Sequence, residues 1–368
     1  MPSKTIRTIV HIFARPWSPK EGVARYVETI SIAEKVILGN NVKIILISLW
    51  DYTNFVLEKY KDFIVIKIPR IRRFLARSET IYSLLQVKQL KNILKNLNVQ
   101  NSTFLHIHMP VYVNPEQETP FGITFHGYNP PTIFRMYDAL VPHYIIRKLC
   151  KYSKFNTAVG LATTILLREK LGINVKPVLT PVPYDVLAYT LKYKIKARKN
   201  MIVINAKDPL KVFDILQALI HSNIITKHRL SILVFGLKTT YLKRFIKRIN
   251  KQIFKSVQRY TRIRVLGYLR HEKLLRLLSN AMLFIYTSRR EGMPTLVVEA
   301  LALGTPTIVP RVVGCIDLAK MHVVVIVDQI LKMYKDYVHV FSSIKERVLK
   351  VHHPEVIAKY FANLYGLI

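Results

Sequence analysis

The sequence predicts an α/β chain of two Rossmann-like domains facing each other across a cleft. Three observations predict it. Short β-branched runs alternate with longer amphipathic segments over almost the whole length, a proline-rich break falls near the midpoint, and 368 residues suit two domains at roughly 150 residues each. Half the residues are apolar and 21% are charged, which excludes a disordered or collagen-like polymer. The two cysteines, Cys150 and Cys315, are too few for a disulfide-stapled scaffold or a Cys-rich zinc module, so a reducing, cytoplasmic setting is expected. Apolar runs such as Ile44 to Trp50, broken only by Ser48, and Val323 to Val327 fall far short of a bilayer span. The apolar segment that begins at Ile6 contains His11 and runs into Arg15 and Pro16 rather than a small-residue cleavage site, so no signal peptide is expected.

The first unit opens with a strand over Ile6 to Phe13 and a turn-rich loop from Arg15 to Gly22. A helix over Val23 to Leu38 follows, closed by Gly39-Asn40, and then a strand over Val42 to Ser48. Further strands are expected at Phe63 to Ile68, Phe104 to His108, Gly122 to Phe125, Thr157 to Val159 and Val178 to Thr180. Pro181 and Pro183 fix φ and remove backbone donors, so neither a central strand nor a helix passes through them. The domains are therefore expected at 1–183 and 184–350. The second series has strands near Met201 to Asn205, Ser231 to Phe235, Ile263 to Leu266, Met282 to Tyr286 and Thr307 to Val309. A last helix in 351–368, apolar at Val356, Ile357, Tyr360, Phe361 and Leu364, should pack onto another element, and the expected domain layout takes it back toward the first domain.

In such sheets ligands bind beyond the C-terminal ends of the strands, so the chemistry is sought in the loops that follow them. After Tyr286 comes Thr287-Ser288-Arg289-Arg290-Glu291-Gly292-Met293-Pro294, then a helix over Thr295 to Leu303 and the turn Gly304-Thr305-Pro306. Pro294 suits the first helical position and Gly304 the position after the helix. The amides of Gly292, Met293 and Thr295 at this helix N-terminus make an anion site suited to a phosphate. Glu291 and Glu299 are placed to accept hydrogen bonds from sugar or ribose hydroxyls.

The run from Glu291 through Pro306, with two glutamates separated by seven residues, resembles the signature of retaining glycosyltransferases of the GT-B fold, the glycosyl transferases group 1. Val312-Val313-Gly314-Cys315-Ile316-Asp317 is similar to the loop that follows it in that family. The resemblance implies that Glu291 contacts the donor sugar and Glu299 the nucleoside ribose. Thr124-Phe125-His126-Gly127 resembles the family's strand end whose histidine sits beside the donor sugar, which makes His126 a candidate catalytic residue with Glu291. His106-Ile107-His108-Met109-Pro110 resembles the preceding strand end. Gly22 resembles the second glycine of the family's Gly-Gly loop, with Glu21 in place of the first.

One stretch departs from the family. Asn205-Ala206-Lys207-Asp208-Pro209-Leu210-Lys211-Val212 has Lys211 on the lysine position of the diphosphate clamp, but Ala206 on the arginine position and Lys207 one residue late. Lys207 and Lys211 are the candidates to neutralise the diphosphate. The implied organisation is an acceptor-side first domain, a second domain that binds the nucleotide sugar, and an unidentified acceptor. No Asp-x-Asp and no His/Cys spacing of a metal site occurs, so neither metal nor other cofactor is expected.

Lys plus Arg number 57 against 22 Asp plus Glu, a formal charge of +35. Arg70, Arg72, Arg73 and Arg77 flank Phe74 and Leu75, a pattern suited to an anionic membrane surface and compatible with peripheral attachment on the inner membrane face. A second basic stretch runs from Lys238 to Arg264 and reads as a helix from Tyr241 to Ser256 with an apolar stripe. No motif indicates nucleic acid, though the charge permits it. The competing reading is a non-catalytic basic binding protein on a degenerate GT-B scaffold.

Overall fold

In a computed structural model of the chain, the described residues are 7–18, 21–50, 54–69, 90–97, 102–109, 111, 119–127, 136–192, 199–222, 224–237, 244, 263–288, 293–309 and 334–368. The chain divides into two units, Met1–Pro181 with His352–Ile368, and Val182–Val351.

The first unit runs β1 (Thr8–Phe13), α1 (Gly22–Leu38), β2 (Lys43–Trp50), β3 (Val56–Tyr60), β4 (Phe63–Pro69), β5 (Thr103–Met109), β6 (Phe121–Phe125), α2 (Met136–Tyr152), β7 (Asn156–Val159), α3 (Leu161–Leu171) and β8 (Lys176–Val178). Among the described residues its sheet has the order β3-β4-β2-β1-β5-β6-β7-β8, parallel throughout except for the β3–β4 hairpin. Strands covered on both faces read as continuous Val, Ile and Leu runs, and Ile9, Ile12, Leu46, Leu105 and Ile123 are fully buried. Helix α1 buries Ala24, Val27, Ile30 and Ala33, a stripe at helical spacing, and ends at Gly39 with φ +67°.

The second unit runs α4 (Tyr184–Lys192), β9 (Lys199–Asn205), α5 (Pro209–His221), α6 (Ile224–Lys227), β10 (Ser231–Phe235), β11 (Ile263–Val265), α7 (His271–Asn280), β12 (Ala281–Tyr286), α8 (Thr295–Ala302), β13 (Thr307–Ile308) and α9 (Tyr334–Val351). Its described sheet is β11-β10-β9-β12-β13, all parallel. The last helix, α10 (Pro354–Tyr365), returns to the first unit and packs along α1.

Several details differ from expectation. Strand β3 was not foreseen: it is an edge strand with Glu58 and Lys59 at its middle and no buried residue. The last strand of the first sheet lies at Lys176–Val178 rather than Val178 to Thr180, because an edge strand tolerates Pro177. Pro294 is the N-cap of α8, with extended backbone, not its first helical residue. The buried face of α10 is rotated from the one expected. Pro354, Ile357, Ala358, Phe361, Ala362 and Tyr365 are buried, whereas Val356 is 54% exposed, because Ala358 and Ala362 allow close approach. The expected helix from Tyr241 to Ser256 lies, apart from Arg244, outside the described residues.

Gly122 has no room for a side chain. A Cβ there would overlap the ring of Phe155, which stacks on Phe104 with centroids 5.8 Å apart and meets the His106 ring edge-on at 5.5 Å. Gly122→Ala is expected to cost about 1–3 kcal/mol, the usual range for forcing extra volume into a packed core. Denaturant melts of the variant against wild type check it.

Candidate functional site

In the second unit three neighbouring strand ends are tied together. The Ala206 amide donates to the Phe235 carbonyl (2.7 Å) and the Gly236 amide to the Gly267 carbonyl (2.7 Å), joining the ends of β9 and β10 and the loop after β11. Thr287, at the end of β12, donates its hydroxyl to the Asn205 carbonyl (2.6 Å) and accepts the Asp208 amide (3.1 Å). Asn205 Oδ1 accepts the Lys207 amide at 3.1 Å, and Asp208 caps α5 by accepting the Leu210 amide at 3.2 Å. The loop carrying Lys207 is thus anchored to the loop that leads toward Glu291.

These ties decide what the lysines can do. Lys207 is exposed. Lys211, in the first turn of α5, holds its ammonium nitrogen away from solvent with no hydrogen-bond partner among the described residues. Ala206, which the resemblance sets on the family's arginine position, is 3% exposed and belongs to the same core cluster as Ile204, Val212 and Ile215.

Glu299 is 2% exposed on α8. Its Oε2 accepts from His271 Nε2 at 3.0 Å, and Nδ1 of the same ring lies 3.0 Å from Asp185 Oδ2. The ring nitrogens of His271 thus lie between two carboxylates, and the contact at Nε2 helps to hold the Glu299 side chain. Sequence reasoning missed both partners. Each begins a helix, α7 or α4, and nothing in the linear order pairs them with Glu299. Met293 and Thr295 are half-buried at the start of α8 beside the capping Pro294. Glu291 and Gly292 lie outside the described residues, as do Val312 to Asp317 and the proposed membrane segment with Arg70, Arg72, Arg73 and Arg77.

In the first unit the strand ends carry a polar cluster. His126 follows β6, and its Nε2 lies 2.9 Å from His108 Nδ1. His108 Nε2 lies 3.1 Å from His11 Nδ1, and His11 Nε2 lies 2.8 Å from Glu34 Oε2. The second oxygen of Glu34 accepts the Tyr365 hydroxyl at 2.8 Å. That hydroxyl lies 2.7 Å from His106 Nδ1, and His106 Nε2 lies 2.7 Å from Thr124 Oγ1, itself 2.7 Å from Thr157 Oγ1. Glu34, His11, His106 and His108 are fully buried. Tyr26 packs edge-on to His126 with centroids 4.6 Å apart. Gly22 begins α1 behind Glu21, whose carboxylate lies 3.8 Å from Arg15 Nε.

Burial pushes the His106 and His108 imidazoles well below the ordinary range. It holds His126 down to about 3, with the Arg15 charge adding to the effect. The Tyr365 hydroxyl is raised by burial and then by Glu34. The fold brings one ring nitrogen each of His11, His106 and His108 within 4.8 Å of one another, a juxtaposition that linear spacing does not show. Every ring nitrogen of the three has a hydrogen-bond partner, which joins the cluster into one polar network.

With this geometry in place, the comparisons with known proteins can be read. The sequence profile "Glycosyl transferases group 1" matches residues 198–346, nearly the whole second unit. The matched segment is similar to a glycosyltransferase group 1 domain, and the match supports transferase activity. Solved structures match the chain end to end. A trehalose-6-phosphate synthase aligns with TM-score 0.72 and 11% identity over 98% of this chain and 99% of its own. The sucrose-phosphate synthase of Thermosynechococcus elongatus aligns with TM-score 0.67 and 14% identity over 98% of both chains. A glycosyltransferase of Rickettsia africae aligns with TM-score 0.63 and 15% identity over 98% of both chains. These likenesses establish the GT-B fold. No curated protein matches the sequence.

Two outcomes follow from the site. His126 has a folded-state value near 3 against an ordinary 6.5, so the unfolded chain binds more protons below about pH 6.5. Stability is expected to fall as pH drops from about 6.5 toward 3, steepest for the first unit, in urea melts across that range. Lys211→Met, which replaces an unpartnered buried ammonium by an apolar side chain of similar length, should stabilise the ligand-free protein by about 1 kcal/mol or more. A lower midpoint for that variant in the same melts contradicts the assignment.

Proposed function

We propose that the chain is a retaining, metal-independent glycosyltransferase that moves a sugar from a nucleotide-sugar donor to an acceptor hydroxyl on a lipid-linked, glycan, protein or nucleic-acid acceptor. The observation that carries this reading is Lys211. A cation withdrawn from water without a partner is costly, and the cost is repaid when a diphosphate arrives. It stands where the family's clamp lysine stands, within the segment matched by the glycosyl transferases group 1 profile. In that role Lys211, with exposed Lys207, would hold the diphosphate, and by the resemblance the amides of Gly292, Met293 and Thr295 would meet the same charge. Glu299, fixed by His271, would accept from the ribose, and Glu291 from the sugar. Gly22 and His126 are assigned by the resemblance, His126 beside the sugar.

The chemistry asks little of covalent catalysis. The acceptor hydroxyl attacks the anomeric carbon on the face the nucleoside diphosphate leaves, the glycosidic bond forms as the phosphate bond breaks, and the departing phosphate takes the hydroxyl proton. The protein's work is positioning and stabilising negative charge on the leaving group. One of the similar structures, from E. coli, is described as bound with UDP-2-fluoro glucose, so UDP-sugars are the first donors to test.

Thermal stabilisation by UDP-, GDP- and ADP-sugars, with tripolyphosphate as charge control, tests the reading. A donor at 100 times its Kd adds about 2.7 kcal/mol. One nucleotide sugar should shift the melting temperature where tripolyphosphate does not, and Lys211→Met should lose the shift. Glu291→Ala should abolish transfer in a folded protein, EDTA should leave the rate unchanged, and the product should keep the donor's anomeric configuration. Equal shifts with every polyanion, or none with any sugar nucleotide, would favour the basic binding protein instead.

A further inference from the structure

The hydrogen bonds around Glu34 set the protons of its neighbours, because a carboxylate can only accept. Its Oε2 takes the Nε2–H of His11, and with a single proton on that ring His11 Nδ1 is an acceptor. His108 must then donate to it from Nε2, so His108 Nδ1 accepts, and His126 must donate to that atom from its own Nε2. What remains is His126 Nδ1, unprotonated and without a hydrogen bond among the described residues. The other oxygen starts a second arm. Tyr365 donates its single proton to Glu34 Oε1, so it accepts from Nδ1–H of His106, whose Nε2 accepts from Thr124, which accepts from Thr157. Thr157 also lies 3.2 Å from the Ile123 carbonyl, a longer alternative to its 2.7 Å contact with Thr124.

We infer that Glu34 is a positioning residue that acts through His11 and His108 to lock His126 in the Nε2–H tautomer, so that His126 presents Nδ1 as an acceptor for a substrate hydroxyl. An acceptor at that point takes an O–H group and repels a carboxylate or a carbonyl oxygen. Burial keeps His106, His108 and His126 neutral at neutral pH, so His126 is a hydrogen-bond acceptor there rather than a proton-abstracting base. The groups that face the array are Glu34 and Tyr26 from α1, Arg15 from the loop after β1, and Tyr365 from α10. The tautomer assignment rests on the hydrogen bonds alone; its use for a sugar hydroxyl rests on the transferase reading.

Nitrogen-15 NMR of histidine-labelled full-length protein reads each tautomer directly. Wild type should show Nε2–H at His11, His108 and His126 and Nδ1–H at His106, unchanged from pH 8 to pH 6 and after addition of a UDP-hexose. An Nδ1–H or averaged signal at His126, which is what an imidazolium at His11 would impose, overturns the inference. Glu34→Gln supplies one acceptor and one donor, so one arm must reverse. Either His11, His108 and His126 change to Nδ1–H, or His106 changes to Nε2–H. A folded variant with all four tautomers unchanged overturns the role of Glu34, and if the variant does not fold, the wild-type pattern decides. These spectra need no activity. A donor that fails to bind defeats the transferase reading and leaves the tautomers standing, whereas transfer by an enzyme whose His126 carries Nδ1–H defeats this inference alone.

Discussion

A carboxylate with no access to water sits at the centre of the first unit, and much of that unit is arranged around it. Glu34 is on the buried face of α1, and both of its oxygens are answered, one by His11 of β1 and the other by Tyr365 of α10. A buried charge missing one partner costs several kcal/mol, so the groups around it are held to fixed positions. Through them the same constraint reaches β5, β6 and β7 in register, where His11 pairs with His106 and Phe13 with His108. Gly122 belongs to this arrangement too, since it admits the Phe155 ring that closes the cluster beside His106.

The two units use their strand ends differently. In the first, the polar groups saturate one another and leave one ring nitrogen, on His126, turned outward from the array. In the second, backbone ties among β9, β10 and β12 are complete while a side-chain cation, Lys211, is left without a partner among the described residues. One arrangement defines a hydrogen-bond acceptor and the other stores an unmet demand for negative charge.

Much of the architecture is legible in the order of residues. Parallel strands buried on both faces read as Val, Ile and Leu runs, and the Pro181 to Pro183 break lies beside the division between the units. That the last helix packs against another element is legible from its apolar spacing, whereas its rotation is not, because Ala358 and Ala362 carry little hydrophobic signal and yet decide how closely the helix approaches α1. Strand β3 hides behind Glu58 and Lys59. The network around Glu34 was not read, although Glu34 repeats at helical spacing with Val27 and Ile30, a core phase where a carboxylate requires an explanation. Which histidine answers it depends on strand order, and no linear pattern carries that. In the same way Asp185, His271 and Glu299 meet only because α4, α7 and α8 do. The motif residues Glu291 and Gly292, the sharpest feature of the sequence, lie outside the described residues.

The return of α10 also bears on the order in which the protein can be made. Synthesis proceeds from the N-terminal side, so α1 and Glu34 leave the ribosome before the second unit, while Tyr365 follows the whole of it. Until then the carboxylate lacks one of its two donors and the groove along α1 lacks its cover. The second unit, continuous in sequence, is free to fold in the interval, and the first is finished last. A nascent chain stopped anywhere in the second unit therefore carries a first unit with its charge half answered, a species that must be shielded or held open until the final helix arrives.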